Sequence, residues 1–441
     1  MDGERRSAML ARGSTMLVTS AASHVPARGL SRAERNELAD VLAEGAVEAG
    51  FQPIVELSSG RVVGWEALAR GPRGSTLERP DNLFAAARAA GRLEELDWLC
   101  QRNALRAALR AGVRAPCVLF LNVEPDTSGF LPLELRELYA RAGAQMTVCI
   151  EVTERALTQR PGVLLGHVSD MRALGCAVAL DDVGTDSDTL AMMSLLAPDV
   201  IKLDLQLVQR SPDADVAEAL HAVAAQAERS GARILVEGVE TETQAEVGNA
   251  LGASLAQGFL YGRRSPMISL PEPPTGVVVG AGRHPDPRDL APFELASARR
   301  SPRCCTRALL TAMTEHLEEQ ARALGGTAVL VAAFEHELRF TDQVRARYAE
   351  LGAQLAFCAI VGADVPPSPA PGVHGGLSAA GAPERSEWTV AVVAPHFAAA
   401  LVAHERREPG RAGEPRFDYV LTYDRELATA VAASLTARVS T

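Results

Sequence analysis

From about residue 50 to 262, short apolar runs alternate with stretches of helix length, and few folds accommodate that alternation. The runs are Gln52–Leu57, Val62–Ala69, Val118–Val123, Thr147–Val152, Ala177–Asp182, Val200–Leu203, Ile234–Glu237 and Gly258–Tyr261. Segments such as Leu83–Ala111 and Asp215–Ser230 lie between them and read as helices. Eight short strands, most separated by helices, over roughly 210 residues predict a (β/α)8 barrel at the short end of its size range. One link does not fit a regular barrel. Only Ser58-Ser59-Gly60-Arg61 separates the first two runs, whereas a parallel crossover takes a dozen or more residues. The first strand is therefore expected to run antiparallel to the second, giving a modified barrel.

The rest of the chain frames this unit. Residues 1–30 lack periodicity and are expected to be flexible, and Ser31-Arg32-Ala33-Glu34 has the form of a capping box that opens a helix. The barrel is expected over 31–264. Residues 265–296 are rich in proline and glycine and read as a linker. A second, smaller α/β unit is expected over 297–441. Its predicted helices are Arg307–Leu324, Asp342–Leu351 and Arg425–Ala437, and its predicted strands are Thr327–Phe334, Leu355–Val361, Trp388–Val393 and Phe417–Thr422. Gly362–Arg385 reads as one long loop.

A formal charge of −11 argues against binding a nucleic-acid polymer, so an anionic ligand would need a local device such as a metal ion. No apolar run approaches the ~20 residues that cross a bilayer, and Met9–Val25 is interrupted by Arg12, Gly13, Ser14 and Thr15, a poor signal-peptide core. The seven cysteines show no metal-type spacing. They read as reduced thiols, and the chain as cytoplasmic without membrane insertion.

Each predicted barrel strand after the first carries a polar residue near one end: Glu66, Asn122, Glu151, Asp181 with Asp182, Lys202, Glu237 and Gln257. In a barrel these would converge on one face. Lys202 is the chain's only lysine, among 44 lysines and arginines. A compact ammonium suits a narrow site that excludes the wide guanidinium fork. Several carboxylates in one mouth repel unless cations sit among them. An oxygen-only set without Cys or His favours Mg²⁺ or Mn²⁺. Adjacent Asp181 and Asp182 suit two ions that share a carboxylate, an arrangement fitted to phosphodiester hydrolysis.

These residues carry a resemblance to the EAL-type cyclic-di-GMP phosphodiesterases. The matching pieces, in order, are Gln52-Pro53-Ile54, Glu66-Ala67-Leu68-Ala69-Arg70, Asn122, Glu151-Val152-Thr153-Glu154, Asp181-Asp182-Val183-Gly184-Thr185, Lys202-Leu203-Asp204, Glu237-Gly238-Val239-Glu240-Thr241 and Gln257-Gly258-Phe259. The resemblance implies a barrel with a reversed first strand that hydrolyses cyclic di-GMP to linear pGpG with two Mg²⁺ or Mn²⁺ ions, and a homodimer formed through the barrel. Carried over to this chain, Glu66, Asn122, Glu151 and Asp181 would hold one ion, and Asp181 and Asp182 the second. Glu237 would serve as general base or orient the attacking water, and Lys202 would also hold that water. Gln257 would support the site, Arg70 would grip a phosphate, Gln52 would reach a guanine, and Glu154 would anchor the loop after the acidic pair. That loop departs from the family pattern at Val183, where an aromatic is usual, and at Asp186, where a glycine is usual. The departure leaves open a receptor that binds cyclic di-GMP without turning it over. The C-terminal segment resembles a DICT sensory domain through Ala333-Phe334, Tyr348, Trp388–Val393 and Phe417–Asp424, which implies regulation of the barrel.

Overall fold

The computed structural model describes residues 30–124, 130–153, 157, 159–184, 187–204, 214–270, 279–280, 285–289, 291–334, 341–363, 365–377, 387–406 and 414–439. The expectations for residues 1–29, Glu154 and Asp186 fall outside them.

Helix α1 (Arg32–Glu44) opens the chain on the expected capping box: Ser31 accepts from the Glu34 N–H, and the Glu34 side chain accepts from the Ser31 N–H. Eight strands then close into a barrel in sequence order: β1 (Glu48–Glu56), β2 (Val62–Arg70), β3 (Val118–Asn122), β4 (Thr147–Thr153), β5 (Ala177–Val183), β6 (Val200–Asp204), β7 (Arg233–Glu237) and β8 (Leu255–Gln257). β1 pairs antiparallel with both β2 and β8, as the short first link requires. The pairs from β2 to β8 are parallel. Described helices between the strands are α2 (Pro80–Ala89), α3 (Leu93–Ala111), α4 (Leu133–Gly143), α5 (Pro161–Ala173), α6 (Ser187–Leu196), α7 (Ala214–Ser230) and α8 (Glu242–Ala250). The expected single helix Leu83–Ala111 is two helices, broken where Gly91 takes φ 66°.

The last barrel strand is Leu255–Gln257, upstream of the expected Gly258–Tyr261. A Cβ on Gly258 would lie 2.0 Å from the Val239 carbonyl oxygen. This close approach turns the chain out of the sheet just after Gln257, and Gly258–Tyr261 forms a turn closed by the Tyr261 N–H on the Gly258 carbonyl.

The second domain is built on a seven-stranded sheet of order β12-β11-β10-β13-β14-β15-β9. Its elements are α9 (Pro292–Arg299), β9 (Arg303–Thr306), α10 (Arg307–Leu324), β10 (Val329–Ala333), α11 (Asp342–Gly352), β11 (Phe357–Gly362), β12 (His374–Leu377), β13 (Glu387–Ala394), β14 (Phe397–Glu405), β15 (Arg416–Thr422) and α12 (Arg425–Thr436). β12 lies inside the stretch expected to be a loop. It runs parallel to β11, and its two central glycines, Gly375 and Gly376, let neighbouring backbone approach where a side chain would collide. The two faces of the sheet separate by the two-residue period of a strand. Leu330, Ile360, Val390 and Leu401 pack with α10 and Tyr348. Val331, Val361, Val393 and Val402 face the other way, into a core shared with α12 and with the barrel's helices. Cys117, Cys149, Cys176, Cys305 and Cys358 are buried free thiols, and Cys304 is exposed. No described helix is long and apolar enough to cross a membrane.

Candidate active site

The barrel interior is lined by Ile54, Phe120, Cys149, Ala179, Val200, Leu235 and Leu255. In a strand, residues two apart share a face. One step further along these inward files, at the carboxyl ends of the parallel strands, stand Asn122, Glu151, Asp181, Lys202, Glu237 and Gln257. The reversed β1 meets the same end with Gln52, two residues before Ile54 and directly across from Glu66. Strand parity thus places the predicted polar residues in one mouth. Asp182 is the exception, because a residue next to Asp181 should point outward. It does not follow the alternation: the β5–β6 register shifts between Leu180 and Val183, and Asp182 takes φ 58°. The bulge re-aims a side chain. Oxygens of Asp181, Asp182 and Glu237 all come within 4.8 Å of one another.

Lys202 sits at the centre, 1% exposed. Its Nζ lies 2.6 Å from Glu151 Oε1, 2.8 Å from Glu237 Oε1, 3.0 Å from Asp181 Oδ1 and 3.9 Å from Glu66 Oε1. Burial works against the ammonium, but the carboxylates of Asp181, Glu151, Glu237 and Glu66 outweigh it and hold its pKa well above the usual value. Burial, together with the neighbouring charge of Glu66, pushes Glu151 well up. Burial also raises Glu237, with Asp181 and Glu66 adding to it against the pull of Lys202. Asn122 Nδ2 donates to Glu66 Oε1 at 3.0 Å, and Gln257 Nε2 donates to Glu66 Oε2 at 2.6 Å.

The donor set fits hard divalent cations. It is made of carboxylate and amide oxygens, and buried Glu151 Oε2 has no hydrogen-bond donor among the described residues. Five carboxylates (Glu66, Glu151, Asp181, Asp182, Glu237) against one ammonium leave four formal negative charges when all are ionised, the charge that two divalent ions balance.

Arg70 ends β2 on the same face as Glu66, four residues on, half-buried, with Nη1 on the Ala69 carbonyl at 2.7 Å. Burial and the nearby Arg264 lower its pKa. Gln52 Nε2 donates to the Gly262 carbonyl at 3.3 Å. Both stand at the mouth of the barrel, outside the Lys202 ion-pair cluster.

One supporting group was not predicted. Asp97 on α3 is 2% exposed. Its Oδ1 accepts from the Glu124 N–H, two residues past Asn122, and its Oδ2 accepts from Gln101 Nε2, whose Oε1 in turn accepts from the Tyr139 hydroxyl. This network ties down the chain that leaves β3. A carboxylate among Leu96, Leu99, Ala104 and Leu105 on the apolar side of a helix, with a glutamine four residues on, was the available signal.

The EAL domain model matches residues 35–264. The DICT model, a sensory domain in diguanylate cyclases and two-component systems, matches residues 291–406. The cyclic di-GMP phosphodiesterase RocR of Pseudomonas aeruginosa is 32% identical over 255 residues, 54% of this chain and 63% of RocR. The cyclic di-GMP phosphodiesterase NbdA of the same organism is 31% identical over 247 residues, 54% of this chain and 31% of NbdA. The chain thus spans less than two thirds of the length of either relative. Among solved structures, the PaMucR phosphodiesterase in complex with c-di-GMP superposes with a TM-score of 0.46 at 25% identity, over 53% of this chain and 98% of that one. The manganese and c-di-GMP complex of Klebsiella pneumoniae BlrP1 gives 0.44 at 28% identity, over 51% and 57%. The match at 35–264 takes in just over half of the 441 residues, and it ends where the barrel's polar mouth ends: the chain belongs to the EAL domain family.

Proposed function

We propose that the chain hydrolyses cyclic di-GMP to linear pGpG, under the influence of its C-terminal domain. The observation that carries this reading is the Lys202 cluster, a buried ammonium amid carboxylates whose charge excess suits two divalent ions. Two bound Mg²⁺ or Mn²⁺ ions would supply a nucleophilic hydroxide and charge stabilisation at the phosphate. Glu66, Asn122, Glu151 and Asp181 would hold the first ion, and Asp181 with Asp182 the second. Glu237, at the rim of the cluster with its side chain 20% exposed, would take a proton from an entering water. Burial raises its pKa, and bound cations would lower it again by neutralising the neighbouring carboxylates. Lys202 would orient that water, and its ammonium bridges Glu151 and Glu237 and offsets their repulsion. Gln257 and Asn122 fix Glu66 through its two oxygens. At the mouth, Arg70 would grip a phosphate with its guanidinium fork, and Gln52 would reach a guanine.

The test is the purified chain with cyclic di-GMP and Mg²⁺ or Mn²⁺, followed by nucleotide separation. Linear pGpG supports the proposal. The departures at Val183 and Asp186 favour a second reading, a receptor, and saturable binding without product would select it. Neither binding nor turnover would rule out both. A homodimer through the barrel accompanies the first reading and is checked by light scattering.

A further inference from the structure

After the turn at Gly258–Tyr261 the chain returns to the barrel mouth and runs beside β1. The Phe51 N–H donates to the Ser265 carbonyl at 2.7 Å, and the Ser265 N–H donates to the Phe51 carbonyl at 2.9 Å. Gln52 Nε2 holds the Gly262 carbonyl between these points. The segment so fixed carries two arginines, Arg263 and Arg264. Arg263 is engaged locally, its guanidinium carbon 4.1 Å from the centroid of the Phe259 ring.

Arg264 does something else: its side chain lies across Gly50. A Cβ on Gly50 would come within 2.6 Å of Arg264 Cγ and Cδ, and closer still to Nη1. Gly50 stands two residues before Gln52 and four before Ile54, so it belongs to the inward file of β1. Arg264 thus fills the place that a β1 side chain would take at the top of that file. Leu68 of β2 is directly across from Gly50, and Arg70 follows it by two residues on the same face. Arg264 is exposed and Arg70 half-buried. Among the described residues, neither guanidinium has a carboxylate within ion-pair distance. The charge of Arg264 acts on Arg70 and, after burial, is the next cause of its lowered pKa. Two neighbouring guanidiniums without a counter-charge, at the edge of a pocket, make a place for an anion.

Cyclic di-GMP has two phosphate groups. Two ions deep in the mouth would attend the one that is cut and leave the other to the protein. We propose that Arg264, lying across Gly50, closes with Arg70 on the phosphate that is not cut. This deepens the proposed function and rests on its ligand, not on its turnover. An anion between the two forks removes their mutual repulsion and accepts charge-assisted hydrogen bonds from both. Gly50 is part of the device, because any larger residue displaces the arm.

The test reads affinity, by calorimetric titration of the full chain with cyclic di-GMP in Ca²⁺, whose looser coordination is expected to slow turnover. Arg264 is exposed, so Arg264→Gln leaves the core intact, and an unchanged circular dichroism spectrum checks this. Arg264→Gln should bind about tenfold more weakly or worse. Arg264→Lys, which keeps the charge and loses the fork, should recover part of that loss. Gly50→Ala keeps both arginines and moves the arm aside; it should weaken binding by about threefold or more, and add nothing on top of Arg264→Gln. The Arg264→Gln deficit should shrink by about threefold between roughly 0.05 and 0.5 M salt. Arg264→Gln that binds as tightly as wild type overturns the inference and leaves the proposed function standing. A deficit that salt does not change overturns it as well and assigns Arg264 to a base edge instead. Wild-type chain that does not bind cyclic di-GMP overturns both.

Discussion

Replacing Lys202 with methionine keeps an unbranched side chain one atom shorter and removes its charge. The ammonium has three carboxylate oxygens within 3.0 Å and a fourth at 3.9 Å. At an effective dielectric constant of 20, one such contact at 3 Å amounts to roughly 5–6 kcal/mol before desolvation. Much of that is cancelled, because burial opposes the ammonium and the carboxylates repel each other. Removing one member of a buried ionic set leaves the others uncompensated, at a net cost of about 3–5 kcal/mol. For a cooperative unit of the barrel's size, about 2–4 °C per kcal/mol turns this into a fall in Tm of roughly 6–20 °C. The sign with pH is clear. Lys202 has a folded pKa above its ordinary 10.5, so its contribution is complete below 10.5 and is lost as pH rises through the folded value. Neutral pH lies inside that window. Thermal unfolding of Lys202→Met in EDTA should show the full deficit, and saturating Mg²⁺ should remove at least half of it, because cations then supply the missing positive charge. Lys202→Arg keeps the charge but cannot place a planar fork at the same point. Its turnover should fall by about 10²-fold or more, while cyclic di-GMP binding stays within about threefold. A Lys202→Met chain as stable as wild type in EDTA would show that the ammonium does not bind the ring together. Full turnover in Lys202→Arg would end its role in holding water.

Asp181→Asn should abolish turnover and weaken Mn²⁺ binding by removing the shared carboxylate, and substantial activity in that variant would refute the shared-ion assignment. Burial raises the folded pKa of Glu151 and Glu237 above their ordinary 4.5, so the metal-free folded state binds more protons than the unfolded chain and loses stability as pH rises from about 4.5 towards those values. Ions displace the same protons: Mn²⁺ uptake should release protons and tighten with pH, measured by calorimetry in buffers of different ionisation enthalpy, and proton uptake would contradict this. Ala197→Gly relieves a left-handed φ of 48°, worth about 1–2 kcal/mol, against about 0.4–1 kcal/mol of added unfolded-state entropy. A denaturant melt should therefore show a gain of up to about 1.6 kcal/mol, and a loss would argue against the strained geometry. Asp97→Ala leaves the Glu124 N–H and the Gln101 amide without their acceptor, at about 1–3 kcal/mol each. It should lower Tm and weaken metal binding, and Asp97→Asn, which keeps one acceptor oxygen but sets its NH2 against the other donor, should recover only part of the loss; an unchanged Tm in Asp97→Ala would refute the role of this network.

The barrel and its mouth were legible because two independent periodicities agree. Helix-length spacing between apolar runs requires parallel strands, and the four residues between the first two runs require one reversed strand, which β1 is. The two-residue period then carries the inner file from Cys149 to Glu151 and from Leu235 to Glu237, so that finding the interior layer also finds the residues at the mouth. Where a residue breaks that period the pattern is silent. Nothing in the alternation of Ala177–Val183 says that Asp182 joins Asp181, because the bulge that turns it is a backbone event. Gly258 illustrates the same limit. Its proximity to Gln257 was visible, but the Val239 carbonyl that bars a side chain there comes from another strand's loop.

The second domain was read less completely for a related reason. β14 (Phe397–Glu405) was absent from the expectation although its inner residues are fully buried. Four of its nine residues are alanine, and alanine leans towards helix on its own and marks neither face of a strand. Only its pairing between β13 and β15 makes it a strand. α12 was legible as a helix, but its burial carries more than that. Leu427, Ala428, Val431, Ala432, Ser434, Leu435 and Thr436 are all buried, so nearly the whole circumference is enclosed. A helix on the outside of a two-layer domain buries one stripe. One enclosed on nearly every side needs a second apolar surface, which the sheet cannot provide from one side alone. Small side chains on α12 permit that close second contact, and α5 and α6 of the barrel provide the surface. The all-round apolar character of Arg425–Thr436 is thus the sequence trace of the contact between the domains, and it is the contact that places the second domain within one helix of the acidic pair.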